Sequence, residues 1–395
     1  MNELPRPYRW LVWRSGSELG PEEREFDAAV RRLVNRCRMP TPGLTLSYHA
    51  EPSFFQALAA QGDEHHLVYS RREVDGELMS IGIRSLRPAW IEGAPARLAY
   101  IHHLRVHPDH RGGTLLARGY QAFREVSRAF PAPLTVTSIL EGNAAARDVL
   151  ANPAGRGPLP GYLRLSGYLT ALFPLRGPGG RWPRRGRRIR TPFACEIRPL
   201  TGDDIPALRT LAERFGRTGD GAWWSPPDGA AWGPQSLWPG LRVNDVLGAF
   251  AGNALVAAVG VWNRSETQQI RLSDLHPVLS AIRRVWEAGG ALWGRCPLPA
   301  EGGEVPHRLL DPWAVEPGWE RRVMPALLDA ALDAARREGA LFAAWGVAEG
   351  HPAKPAADRF FYFPYASSLF TVAWPETPVA DVGRRRPLAI PLGML

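Results

Sequence analysis

The residues with the clearest chemical use lie between Tyr100 and Tyr120. Tyr100-Ile-His-His-Leu-Arg-Val106 alternates as a strand does, and Pro108 ends it because proline cannot donate to a ladder. Arg111-Gly112-Gly113-Thr114 then opens a helix. The first amides of a helix lack intrahelical partners and sit at the positive end of its dipole, so this turn can hold an anion such as a pyrophosphate. Gly112 and Gly113 let phosphate approach the backbone with no side chain in the way. On the strand, His102 and His103 supply imidazoles whose unperturbed pKa of about 6.5 suits proton transfer near neutral pH. Adjacent strand residues face opposite sides, so at most one of the pair should reach a cleft. Seven of the ten histidines fall in the first 110 residues, His107 and His110 among them. Their spacing is not that of a helical zinc pair, and no metal is expected.

The elements that must position this turn follow from periodicity. A helix is predicted over Glu22 to Arg36, then two strands, 66–71 and 78–83, joined through Asp75-Gly76, a strong hairpin signal. After the turn, Leu115, Leu116, Phe123 and Val126 recur at helical spacing, and 134–140 reads as a strand. Ser138-Ile-Leu-Glu141-Gly-Asn143 continues into Ala144 to Leu150, where Asn143 suits a helix cap. The same order recurs downstream. Val106 and Pro108 fall on Val315 and Pro317 at an offset of 209 residues. A helix over Ile205 to Phe215 and strands 246–250 and 255–261, joined through Gly252-Asn253, precede the second copy. Met324, Leu327, Leu328, Ala331, Leu332 and Ala335 make its helix, and 340–347 its strand. The copies end alike in 162–173 and 365–374.

A chain of 395 residues with 45% hydrophobic content suggests two or three soluble domains. Residues 176–192, with seven arginines among glycine and proline, read as a linker between a first domain, 1–175, and a second, 193–395. The net charge of +9 comes almost wholly from arginine, Lys354 being the sole lysine. That bias fits a GC-rich, bacterial source, and with no aromatic platform beside the basic run a nucleic-acid partner is not expected. Cys37, Cys195 and Cys296 are far apart and read as reduced structural thiols. No run approaches signal-peptide or membrane-spanning length, so no membrane association and a cytoplasmic location are expected.

The strand ending in Val106-His-Pro108, followed by Arg111-Gly-Gly-Thr, resembles the signature of the GNAT acetyltransferase superfamily, and 138–150 resembles the strand, asparagine and short helix that close that family's coenzyme site. The resemblance implies an α/β fold of two tandem GNAT-like domains, each a mixed, mostly antiparallel sheet flanked by helices. It implies an N-acetyltransferase in which an amine, small-molecule or peptide, attacks acetyl-CoA directly. Arg111, Gly112, Gly113, Thr114, Leu115 and Leu116 then hold the pyrophosphate, backbone donors at Leu104 and Val106 polarise the thioester carbonyl, and Asn143 contacts the coenzyme arm. By the family register His102 is the favoured base and Glu141 the runner-up. Thr114 and Leu116 depart from the family, which usually has glycines there. The tyrosine that many members use as general acid falls at Leu150, and Tyr162 and Tyr168 of the later segment are the candidates to stand in for it, which the sequence does not place.

In the second copy Glu320, Arg321, Arg322 and Val323 replace Arg111 to Thr114, which opposes a pyrophosphate by charge and by bulk. That half is expected to be degenerate, shaping the cleft or an interface. Trp223, Trp224, Trp232 and Trp238 read as core and loop anchors. The competing expectation is a non-catalytic acyl-CoA-binding sensor or scaffold protein. Neither the acceptor nor the oligomeric state follows from the sequence.

Overall fold

The computed structural model describes residues 9–14, 20–36, 39–41, 44–111, 114–150, 159–175, 195–222, 237–275, 277–288, 299–376, 382–383 and 385–395. Gly112, Gly113, Cys37, Cys296, Trp223, Trp224, Trp232 and the expected linker 176–192 lie outside them.

The first half runs β1 (Arg9–Arg14), α1 (Pro21–Arg36), β2 (Met39–Thr41), β3 (Leu44–His49), α2 (Phe54–Leu58), β4 (Glu64–Arg71), β5 (Leu78–Ile91), β6 (Ala94–Val106), α3 (Leu115–Ala129), β7 (Leu134–Leu140), α4 (Ala144–Leu150) and β8 (Gly161–Pro174). The second half runs β9 (Glu196–Pro199), α5 (Ile205–Thr218), β10 (Val246–Ala251), β11 (Ala254–Trp262), β12 (Gln269–Leu275), α6 (Pro277–Ala288), β13 (His307–Val315), α7 (Glu320–Arg337), β14 (Phe342–Ala348) and β15 (Phe363–Ala373). The mixed, mostly antiparallel sheet flanked by helices is the architecture expected from the sequence.

Local chemistry explains the positioning helices. Pro21 begins α1, Glu22 and Glu23 complement its positive end, and Arg36 its negative end. Its buried stripe, Phe26, Val30, Leu33 and Val34, packs with Phe54 and Phe55 of α2 against Leu67, Ile81 and Ile83 on one face of the sheet. Helix α3 buries Tyr120, Phe123 and Val126, spaced by three, on the other face with Val68 and Ile101. The hairpin turns are where the sequence puts them, with Gly76 at φ 69° and Gly252 at φ 59°, a region glycine enters without steric cost.

Twelve strands form one sheet, in the order β1-β4-β5-β6-β7-β15-β8-β14-β13-β11-β10-β9. The closing strands of the two halves are exchanged. β15 pairs with β7 of the first half, β8 pairs with β14 of the second, and the two also pair with each other. Each half therefore completes the other's sheet, an arrangement that the repeat in the sequence did not disclose. Among the described strands, only β6–β7 and β13–β14 pair in parallel. β2, β3 and β12 form a second, three-stranded sheet that also joins the halves. Trp238 is buried in the second half's core, with the Arg87 guanidinium over its ring.

Candidate active site

Strands β6 and β7 begin as a parallel pair and then part. Their ladder covers only Leu98, Ala99 and Tyr100 against Leu134, Thr135 and Val136. Beyond the ladder, side chains tie the strands: the Thr137 hydroxyl donates to the Ile101 carbonyl at 2.8 Å, and the Tyr100 and Ser138 hydroxyls lie 2.9 Å apart. On its other edge β6 stays paired with β5 to Val106, with a bulge where His103 and Leu104 both stand opposite Gly82. A side chain at Gly82 would meet Leu104 and Phe123 within 3 Å, so glycine is required there. His107 donates its amide to Met79 on the β5 side at 2.8 Å. Alternate amides of a strand point to opposite edges, so those of Val106 and Leu104 face the gap left by β7.

The N-terminus of α3 stands at the mouth of that gap. Thr114 caps it without a side-chain hydrogen bond, and the first intrahelical bond runs from the Arg118 amide to the Thr114 carbonyl. The amides of Leu115 and Leu116 precede that bond and have no carbonyl of their own helix to reach. Leu104, Val106, Leu115 and Leu116 line one cavity of about 60 Å³ together with Ile81 and Phe123. The structure thus brings together four residues that the sequence assigned to the coenzyme. Arg111 is exposed.

Asn143 acts as a cap, its Oδ1 accepting from the Ala146 amide at 3.1 Å, and is exposed at the end of β7, as is Glu141. Tyr162 lies on the α3 face, where its hydroxyl hydrogen-bonds the Tyr120 hydroxyl. Burial raises the pKa of both phenols, which keeps them protonated. Tyr120 also lines the cavity, so Tyr162 is one hydroxyl removed from it. Tyr168 faces the opposite side and donates to the Ile390 carbonyl at 2.9 Å. Leu150 is buried in the core behind α3.

The histidines depart from the simple alternation expected of a strand. His103 adopts φ 49° within the bulge, a conformation uncommon outside glycine, and this brings it to the same face as His102. The ring nitrogens Nδ1 of the two lie 2.6 Å apart. His102 is buried and stacked on Tyr100 at 4.9 Å, while His103 is half-buried between Phe54 and Tyr48. Burial and the positive field of Arg105 hold both rings well below the ordinary histidine pKa, His103 at about 3. Sequence reasoning missed Ser85 and His65, which continue from His102 into the core. Their only trace in the sequence is alternation on β4 and β5, which says nothing of register.

No protein-family model and no curated protein matches the sequence. Among solved structures, the N-myristoyltransferase of Saccharomyces cerevisiae with bound myristoyl-CoA superposes over 97% of this chain and 85% of its own, at 11% identity and a TM-score of 0.56. A GCN5-related N-acetyltransferase from Sphaerobacter thermophilus covers 93% of this chain and 96% of its own, at 14% identity and a TM-score of 0.53. The chain has the GNAT fold. Its second half repeats the GNAT elements, including the parting strands. There β13 and β14 pair only over His307 to Leu309 against Phe342 to Ala344, and a bulge at Asp311 and Pro312 stands opposite Gly260. This second gap is closed. Trp313 donates its indole N–H across it to the Gly346 carbonyl at 3.1 Å. Asp311 accepts from the amides of Leu392 at 3.3 Å and Gly393 at 3.0 Å, which ties the 391–395 segment into the opening. Among the described residues of the GNAT halves, no group of histidine, cysteine and carboxylate side chains could hold a metal, and no helix is long and apolar enough to cross a membrane.

Proposed function

We propose that the chain is an N-acyltransferase that moves an acyl group, acetyl in the simplest case, from coenzyme A to an amine. The observation that carries this reading is the open gap between β6 and β7, with the Val106 amide facing it and the start of α3 at its mouth. Pyrophosphate is held at Arg111 to Leu116, where the unpaired helix amides and positive dipole favour an anion. The thioester lies in the gap, its carbonyl oxygen on the amides of Leu104 and Val106, which stabilise the negative charge that develops as the amine attacks. The amine approaches from the His102 and His103 side, and that pair, with Glu141 as alternative, receives its proton. Tyr162, hydrogen-bonded to Tyr120 on the cavity wall, is assigned to return a proton to the leaving thiolate through that hydroxyl. Catalysis rests chiefly on alignment of the two reactants. The second half, its gap closed, supports the sheet without taking a coenzyme.

Calorimetric titration tests this reading with acetyl-CoA and, because a fold neighbour was solved with myristoyl-CoA, with that longer thioester too. Wild type should bind, and Gly113→Trp should weaken binding at least tenfold. Equal affinity in the two proteins would sink the pyrophosphate assignment. The sensor reading draws on Leu150, a core side chain where an acid would otherwise stand. Binding without turnover over a panel of amines would favour it.

A further inference from the structure

Four polar groups on β4, β5 and β6 form one unbroken hydrogen-bonded line that ends at the half-buried His103. His65 Nδ1 lies 2.7 Å from Ser85 Oγ, Ser85 Oγ 2.7 Å from His102 Nε2, and His102 Nδ1 2.6 Å from His103 Nδ1. His65, Ser85 and His102 are buried, and only His103 reaches the half-exposed shell. Every ring is braced. Trp13 stacks on His65 at 5.3 Å, Tyr100 on His102, and Phe54 meets His103 edge-on at 5.2 Å.

The direction of the line is fixed at its inner end. Burial, the Arg105 and Arg264 guanidinium groups and the neighbouring His66 all oppose positive charge on these rings, and Tyr48 and Tyr100 bring none. Each ring is therefore neutral and carries a single N–H. His65 makes a second hydrogen bond, to the Gly62 backbone, and this bond favours the protonated ring, so the backbone group is the carbonyl acceptor. Its Nδ1 is committed to Ser85, so the hydrogen resides on Nε2. His65 Nδ1 must then accept from the Ser85 hydroxyl. The Ser85 oxygen accepts from His102 Nε2–H, and His102 Nδ1 accepts from His103 Nδ1–H. His103 Nε2 is left with a lone pair, and no described residue donates to it.

We infer that His103 is the base that takes the proton from the attacking amine, and that His65, Ser85 and His102 are positioning residues that hold it in the Nδ1–H tautomer. This assignment rests on the acyl-transfer reading above. His102 is ill placed for the task, because both its nitrogens are occupied within the line. The bulge has a purpose on this account. It turns His103, which regular alternation would aim at the α3 face, onto the face of His102, Tyr48 and Phe54, from which the amine would approach. In the reaction the amine nitrogen bonds to the thioester carbonyl carbon and its proton passes to His103 Nε2. The C–S electron pair leaves on the coenzyme sulfur, and the proton returns from His103 to solvent or to the thiolate.

The test is nitrogen-15 NMR of the histidine rings in the full chain at pH 7, assigned with His65→Gln, His102→Gln and His103→Gln. His65 and His102 should carry hydrogen on Nε2 and His103 on Nδ1. A His103 ring protonated on Nε2 overturns the inference whatever the activity shows. In parallel, Ser85→Ala cuts the line without entering the cleft. With acetyl-CoA and a panel of spermidine, an aminoglycoside and a short unblocked peptide, its kcat should fall tenfold or more. KM for acetyl-CoA should stay unchanged, and Ser85→Thr should restore the rate. An unaltered kcat in Ser85→Ala also overturns the inference. Wild type that binds no acetyl-CoA in calorimetry refutes the acyl-transfer reading, and the base role with it. Wild type that binds and turns over with the other His103 tautomer refutes the base role alone.

Discussion

The gap between β6 and β7 and the gap between β13 and β14 begin alike. Each follows a parallel ladder of three residue pairs, and each has a bulge opposite a glycine, Gly82 or Gly260. They differ in what fills them. The first is bridged at its inner end by Tyr100, whose hydroxyl lies 2.9 Å from that of Ser138 and donates to the Leu395 carbonyl at 3.4 Å, and farther out it opens onto a small cavity and the unpaired start of α3. The second holds an indole bridge and the 391–395 segment, and its helix α7 carries Glu320 in its first turn, where a carboxylate answers the dipole from within the chain. The backbone device is common to both halves, and side chains decide which gap has room for a ligand. An open gap leaves strand amides without partners and costs stability, whereas a closed one contributes to the core.

The strongest way to break that contrast is to reopen the second gap. Trp313→Ala removes a buried indole and its hydrogen bond and should cost about 3–5 kcal/mol in denaturant unfolding. Acetyl-CoA titration of the same variant should still show one site per chain, since Glu320 and the segment held by Asp311 remain. Two sites would mean that the halves differ only by a plug.

Next in size is a pair of proline substitutions. The Val106 amide takes no part in the ladder with β5, so Val106→Pro removes a donor from the gap and leaves the sheet paired. Its kcat for acetyl transfer should fall about 10²–10³-fold, the usual effect of losing one donor to a developing oxyanion. The matching change Val315→Pro should leave kcat as it is. Comparable losses from both would show that the chemistry is not confined to the first gap.

Acid sharpens the comparison through one buried histidine in each half. Burial lowers His65 to about 3 and His351 to about 4. As pH falls below the ordinary value of about 6.5 the unfolded chain takes up protons that the folded chain refuses. The stability present above pH 6.5 is therefore lost progressively toward pH 4. Asp311 runs the other way. Burial raises it to about 6, so folding favours its proton and stability is gained as pH falls from 6 toward 3.8. Unfolding curves at pH 6, 5 and 4 should show a shallower decline in His65→Gln, by up to about 1.4 kcal/mol per pH unit. A slope identical to wild type would mean that His65 is charged when folded.

How much of this was legible beforehand varied with the range of the information. Helices and strands, the turns at Gly76 and Gly252, and the correspondence of Val106 with Val315 depend on local periodicity, which the sequence carries directly. The exchange of β8 and β15 does not. Residues 162–173 and 365–374 have similar patterns, and either could close either half, so the pairing is decided by contacts across the whole sheet. The His65–Ser85–His102 line was hidden for a related reason. It needs the register of β4 on β5 and of β5 on β6, and the bulge that brings His103 into it depends on Gly82, a residue that gives no signal of its own in an apolar strand.

Asn143 gives the smallest effect and the finest discrimination. Its side chain caps α4, and no equivalent cap is needed in the second half, where a 3₁₀ turn, Lys354–Arg359, follows β14. As a cap alone, Asn143→Ala should cost about 1 kcal/mol. Coenzyme affinity should then change only as far as fraying of α4 disturbs the gap, and Asn143→Ser, which can still cap, should behave as wild type in both measurements. If Asn143→Ser keeps the stability but loses affinity for acetyl-CoA, the amide itself reaches the ligand. The open gap then extends past β7 to the start of α4, a surface with no counterpart beside β14.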